Sequence, residues 1–135
     1  MKWTDKYIGI PYKELGRDRS GIDCYGLCLL VYKNELGIKI PDYFGIGYEK
    51  NKDELRGELQ KFIVQESKKN WVEVNLTEGK PFDLILFRIA GYVIHIGILV
   101  DSNIMLHSFN GMDCVLEKLD IKWRNRIYKV IRWVA

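Results

Sequence analysis

The feature that most constrains this 135-residue sequence is a change of period near Asn70. Before it, apolar residues recur every three or four positions; after it, they come as short Val- and Ile-rich runs separated by turn residues. The first pattern belongs to amphipathic helices and the second to successive antiparallel strands. The spacing predicts a first helix from Cys24 to Leu36, with Leu27, Leu30 and Val31 on its apolar face, Asp23 as its N-cap and Gly37 as its left-handed stop. A second helix is predicted from Asp53 to Lys68, where Leu55, Leu59, Phe62 and Ile63 form a stripe opposite Glu54, Glu58, Lys61 and Glu66, with Asn51 or Asp53 as the cap. Strands are predicted at Trp71–Val74, Asp83–Ile89, Val93–Val100, Ile104–Phe109, Val115–Leu119 and Ile127–Val134. Helices first and strands later imply an α+β fold in which N-terminal helices pack on an antiparallel β-sheet.

A chain of this length buries one hydrophobic core without metals or disulfides. No repeat, low-complexity tract or linker interrupts it, and Pro11, Pro41 and Pro81 fall between elements, so residues 1–135 are expected to form a single domain. The net charge of +3 is spread over Lys and Arg residues scattered among Asp and Glu, a pattern that gives no support to nucleic-acid binding. No apolar run approaches the length of a membrane span, and Met1–Tyr7 lacks the apolar core of a signal peptide; synthesis in the cytoplasm without a signal peptide is the expectation.

Chemistry enters with the cysteines and histidines. Cys24, Cys28 and Cys114 form an odd set without zinc-type spacing, so at least one is a free thiol. Cys24 and Cys28 share one helical face and are poorly placed to bridge; Cys28 is expected to pack in the core. Cys24 opens the first helix directly after the turn-rich stretch 16–21, so free backbone N–H groups and the positive helix end would lower its pKa and could stabilise an oxyanion. The two histidines, His95 and His107, both fall in predicted strands, separated by an even number of residues. A hairpin folded symmetrically about Asp101 would set them directly opposite on one face, where His107 could fix the tautomer of a basic His95. A zinc site built from Cys24, His95 and His107 is the weaker reading, because the spacing matches no zinc motif. Of the aromatics, Trp133 is expected to pack in the sheet, while Tyr12 and Tyr25 are candidates for substrate contact.

Asp23-Cys24-Tyr25-Gly26-Leu27 resembles the nucleophile motif of the NlpC-type cysteine peptidases of bacterial cell walls. Ile10-Pro11-Tyr12 and Gly16-Arg17-Asp18 resemble that family's approach to the cysteine, Pro81 to Phe87 its strand before the histidine, and His95-Ile96-Gly97-Ile98 and Met105-Leu106-His107-Ser108 its two histidine segments, in the same order. The resemblance implies a papain-like core in which Cys24 attacks, His95 is the base, His107 orients the imidazole and Tyr12 lines the site; Asp23, beside the nucleophile, is a further candidate for substrate contact. It implies no cofactor and no metal. The substrate class it implies is the stem peptide of peptidoglycan, cut at the bond between D-glutamate and a diamino acid. Tyr25 stands where many secreted members have serine, and the short single-domain form is most similar to members associated with bacteriophage or prophage tails. Phage tail proteins are therefore an expected further partner, and a virion tail or lysis system the expected route to the wall. The same thiol and base would equally serve an N-acetylmuramoyl-L-alanine amidase or an acyltransferase, and a vestigial tail module is the remaining alternative.

Overall fold

In the computed structural model, which describes residues 2–42 and 52–134, the change of period at Asn70 separates the two long helices from the six-stranded sheet. The turn-rich stretch before Cys24 forms a small hairpin of β1 (Arg17–Asp18) and β2 (Gly21–Ile22), closed by Asp18, whose carboxylate accepts from both the Ser20 N–H and hydroxyl. Helix α1 (Cys24–Val31) follows, continues as a wider π-turn over Tyr32–Leu36, and stops at Gly37 with φ of +67°. The predicted run is thus helical throughout and ends in the left-handed conformation that favours glycine. Leu27, Cys28 and Val31 are fully buried, each large apolar side chain contributing about 1.5–3 kcal/mol.

Helix α2 spans Lys52–Glu66. It begins one residue before the predicted start, so Asp53 lies in the first turn and not at the cap, where its carboxylate still complements the helix dipole. Asn51, the other predicted cap, lies outside the described residues. The helix ends before Lys68 because the last turn tightens, with Lys68 and Lys69 N–H groups bonding the carbonyls of Gln65 and Glu66.

The strands β3 (Trp71–Val74), β4 (Leu84–Ile89), β5 (Tyr92–Asp101), β6 (Ile104–Phe109), β7 (Met112–Lys118) and β8 (Ile127–Trp133) form an antiparallel sheet in the order β3-β8-β4-β5-β6-β7. Asp83, predicted as the first residue of its strand, is instead a buried anchor: its carboxylate accepts from Arg132 at 2.9 and 2.7 Å and from the Lys80 N–H at 2.8 Å. Because side chains alternate along each strand, the sheet carries a core on both faces. One includes Leu84, Leu86, Ile96, Ile98 and Leu106 with α1; the other includes Ile85, Phe87, Leu99, Met105 and Trp123. Trp123 comes from a one-turn helix, α3 (Ile121–Arg124), capped by Asp120, which the sequence patterns do not signal. Trp133 packs edge-on against Trp71 across the β3–β8 pair, as expected.

Two irregularities decide where the histidines go. In the β4–β5 pair, Phe87 faces His95 but Arg88 faces Val93, so Ile94 is an extra, bulged residue. In the β5–β6 hairpin, Ile98 pairs with Leu106 and Leu99 with Met105, a register centred on Ser102 and not on Asp101. The correction has a local cause: Asp101 pairs with Ile104 around a two-residue turn, and the ladder shifts between Leu99 and Asp101. His95 and His107 are therefore diagonal neighbours rather than directly opposed. A slip of two residues keeps both on one face.

Candidate active site

Asp23 builds the entry to α1. Its Oδ1 accepts the Gly26 N–H at 2.7 Å and an Arg17 Nη1–H at 2.8 Å, while Oδ2 accepts the Leu15 N–H at 3.0 Å. Leu15 sits at φ of +59°, a conformation that branched chains avoid and that this bond holds in place. Helix and hairpin approach so closely that a Cβ at Gly26 would lie 2.2 Å from the Gly16 carbonyl, which requires glycine there.

Cys24 therefore leaves the chain at a clamped helix N-terminus. Its half-buried thiol donates to the Ile94 carbonyl at 3.6 Å, the bulged residue next to His95. Burial pushes the thiol up to about 12, with the Asp23 charge acting in the same direction and the Ile96 N–H, the Arg17 guanidinium and the Tyr25 N–H opposing it. The balance favours the neutral thiol.

The imidazoles are buried on the face that carries the second core. His95 Nε2 and His107 Nδ1 are 2.9 Å apart, His107 Nε2 lies 2.7 Å from Glu117 Oε1, and Glu117 Oε2 accepts the Trp123 Nε1–H at 2.8 Å. Phe87, Phe109 and Trp123 surround His95, with ring centroids 5.6, 4.6 and 5.6 Å away. Burial holds His95 well below the usual imidazole range, and His107 and Arg126 add to the effect. Burial also lowers His107, against the opposing pull of Glu117. Both shifts favour neutral rings, and the two face each other nitrogen to nitrogen at the distance of one hydrogen bond. That geometry leaves no room for a metal between them, so the zinc reading of Cys24, His95 and His107 does not fit.

Cys24 and His95 line one cavity of about 360 Å³ together with Tyr12, Asp23, Arg56 and Asn110. Of the residues expected to contact substrate, Tyr12 is in this wall. Asp23 reaches it as well, but its oxygens are turned to Gly26, Arg17 and Leu15. Tyr25 is not brought to the cavity: it is buried, packs edge-on against Phe62 at 5.8 Å, and its hydroxyl donates to the Pro41 carbonyl. The reason is helical geometry, since consecutive residues point about 100° apart and Cys24 and Tyr25 cannot share a direction. Glu117 and Trp123 are the functional-site residues that sequence reasoning missed. One signal was available: the single glutamate of the strand Met112–Lys118, at a parity that shares a face with His107. In the β6–β7 pair Glu117 faces Met105 and Val115 faces His107, which makes Glu117 the diagonal neighbour of His107.

Comparison with known proteins matches residues 9–132 to the family described as NlpC/P60. Among curated relatives, the probable endopeptidase NlpC homolog of Haemophilus influenzae is 24% identical over 124 residues, covering 92% of this chain and 55% of that protein. The murein DD-endopeptidase MepS/murein LD-carboxypeptidase of Escherichia coli K12 is 25% identical over 126 residues, covering 93% of this chain and 56% of its own length. The chain thus spans little more than half of either relative. The crystal structure of the NlpC/p60 domain of peptidoglycan hydrolase SagA superposes with a TM-score of 0.64 at 23% identity, over 96% of this chain and 92% of that domain. The α+β papain-like core expected from the sequence is the observed fold. No described helix is long and apolar enough to cross a membrane.

Proposed function

The chain belongs to the NlpC/P60 family, and from that membership and the site geometry we propose that it is a cysteine peptidase that hydrolyses peptide bonds in peptidoglycan. The observation that carries the reading is the shared cavity: the thiol at the N-terminus of α1 and the imidazole of His95, itself held by His107, open into one space. In the proposed reaction Cys24 Sγ attacks the scissile carbonyl carbon and its proton passes to His95 Nδ1, the ring nitrogen that His107 does not engage. The oxyanion lies toward the first N–H groups of α1. The C–N bond then breaks, His95 protonates the departing amine, and water deprotonated by His95 frees the acid from the thioester.

Tyr12 is proposed to contact the bound peptide from the cavity wall. Asp23 acts one step back, by holding the helix start from which Cys24 projects. For the bond cleaved we propose D-glutamyl-diamino acid, on the family resemblance; the name of the Escherichia coli relative, which specifies a DD bond, supplies the competing outcome. Delivery by a phage tail or lysis system is proposed on the same resemblance. The test is a digest of peptidoglycans of several chemotypes, read by mass spectrometry, with Cys24→Ala as control. New fragments carrying a free N-terminal diamino acid support the assignment; cleavage between D-residues moves the bond; intact stem peptides released from glycan mark an amidase. Cleavage retained by Cys24→Ala, or inactivity of the parent on every wall, would remove the proposal.

A further inference from the structure

Resting on the assignment of His95 as the base, we propose that Glu117 is a positioning residue that dictates which nitrogen of each imidazole carries a proton, and so keeps His95 Nδ1 free to accept the thiol proton. The inference comes from counting donors and acceptors along the chain of contacts behind His95. The Trp123 indole can only donate, and it donates to Glu117 Oε2 at 2.8 Å. The carboxylate can only accept, so His107 Nε2, 2.7 Å from Oε1, must carry hydrogen. His107 is fully buried, which favours its neutral ring, so its Nδ1 is bare. The 2.9 Å contact between the rings then needs a donor from the other side, and His95 Nε2 is that donor. A neutral His95 with hydrogen on Nε2 has an unprotonated Nδ1.

Without an anchor, the ring-to-ring contact does not choose between two arrangements. The mirrored one puts hydrogen on His107 Nδ1 and a bare lone pair on His95 Nε2, and it leaves His95 Nδ1 protonated and useless as a base. Glu117 selects against it by accepting at the far end of the pair. The carboxylate suits this task because two N–H donors, from different elements, converge on its two oxygens. Asp120 keeps one of them in place by capping α3, from which Trp123 projects.

The chain has just two histidines, so four ring nitrogens report the whole arrangement in long-range ¹⁵N–¹H spectra of the resting protein. The expected wild-type pattern is hydrogen on Nε2 of both rings. Glu117→Gln offers one amide oxygen to two donors: when that oxygen takes the indole N–H, the amide NH₂ faces His107 Nε2 and the proton order reverses. Glu117→Gln should therefore show Nδ1–H on both rings in a substantial fraction of molecules, with kcat lower by about 10-fold to 100-fold and KM within about twofold. Adding Trp123→Phe frees the amide oxygen for His107, so the double variant should regain the wild-type pattern and part of the lost kcat, which a loss of packing would not do. A wild-type spectrum with Nδ1–H on His95 overturns the proposal whatever the variants do. So does Glu117→Gln with a parental pattern or a parental kcat. The spectra need no substrate and no turnover, so cleavage retained by Cys24→Ala would defeat the peptidase assignment without altering them.

Discussion

Asp23 separates structural from substrate-binding roles, and its replacement has a computable effect. Asp23→Ala removes the acceptor for the Gly26 N–H, a helix-cap loss of about 1 kcal/mol. It also strands the Leu15 N–H, a buried donor whose unmet bond costs about 1–3 kcal/mol. Arg17 keeps the Asp42 carboxylate and the Gly16 carbonyl, so the lost ion pair adds about 1 kcal/mol or less. The sum is about 3 kcal/mol, which for a domain of this size lowers the melting temperature by about 10 °C. Asp23→Asn keeps a good cap but turns an NH₂ toward one of the other two donors, so about half the shift is expected. Thermal melts followed by circular dichroism, with kinetics on soluble peptidoglycan fragments, measure both sides. KM should stay near the parental value, because both oxygens are engaged within the protein. A melting temperature within about 2 °C of the parent, together with a raised KM, would refute the reasoning and make Asp23 a substrate ligand.

The two buried imidazoles predict a pH-dependent stability. Burial lowers their folded pKa below the ordinary value of 6.5, so the unfolded chain binds protons that the folded one refuses, and stability present above pH 6.5 is lost as pH falls. The slope is up to about 1.4 kcal/mol per pH unit for each ring, and chemical denaturation at pH 8, 6.5 and 5 checks it; equal stability at pH 8 and 5 contradicts the neutral pair. A thiol that donates to the Ile94 carbonyl and is pushed up to about 12 should also react slowly with iodoacetamide at pH 7 and faster as pH rises toward 10. Rapid alkylation of Cys24, titrating below pH 6, would instead reveal a preformed thiolate–imidazolium pair.

How much of this was legible from sequence follows from the range of each interaction. The helix start at Cys24 and its stop at Gly37 each depend on residues within a few positions, Asp23 with the apolar spacing after it at one end and the glycine itself at the other, and both ends are found as the patterns predict. The shared face of His95 and His107 depends on parity alone, so it survives a register displaced by two residues. Tyr25 is adjacent to Cys24 in sequence but points elsewhere, because consecutive helical residues diverge by about 100°, and its direction is set by packing against Phe62. Glu117 and Trp123 stayed hidden for a different reason. Their contact with His107 requires the β6–β7 register and the placement of a one-turn helix, both set by long-range packing that local pattern does not carry.

The bulge at Ile94 joins these threads, because it is the point where the α1 side of the molecule meets the imidazole pair. An extra residue in β5 changes which face the chain presents: Val93 packs in the first core, its N–H donating to Gln60 of α2, while His95 sits among Phe87, Phe109 and Trp123. The same extra residue turns its carbonyl to the Cys24 thiol. In the proposed mechanism, attack requires the Sγ–Ile94 contact to give way to one with His95 Nδ1. A substrate seated in the cavity would favour that exchange by excluding water from both groups. Under the proposed mechanism the thiol is activated during turnover rather than beforehand. Slow alkylation of the resting thiol and a base whose protons are ordered in advance by Glu117 are two consequences of one arrangement: the neutral pair waits for substrate, and only the imidazole side is prepared.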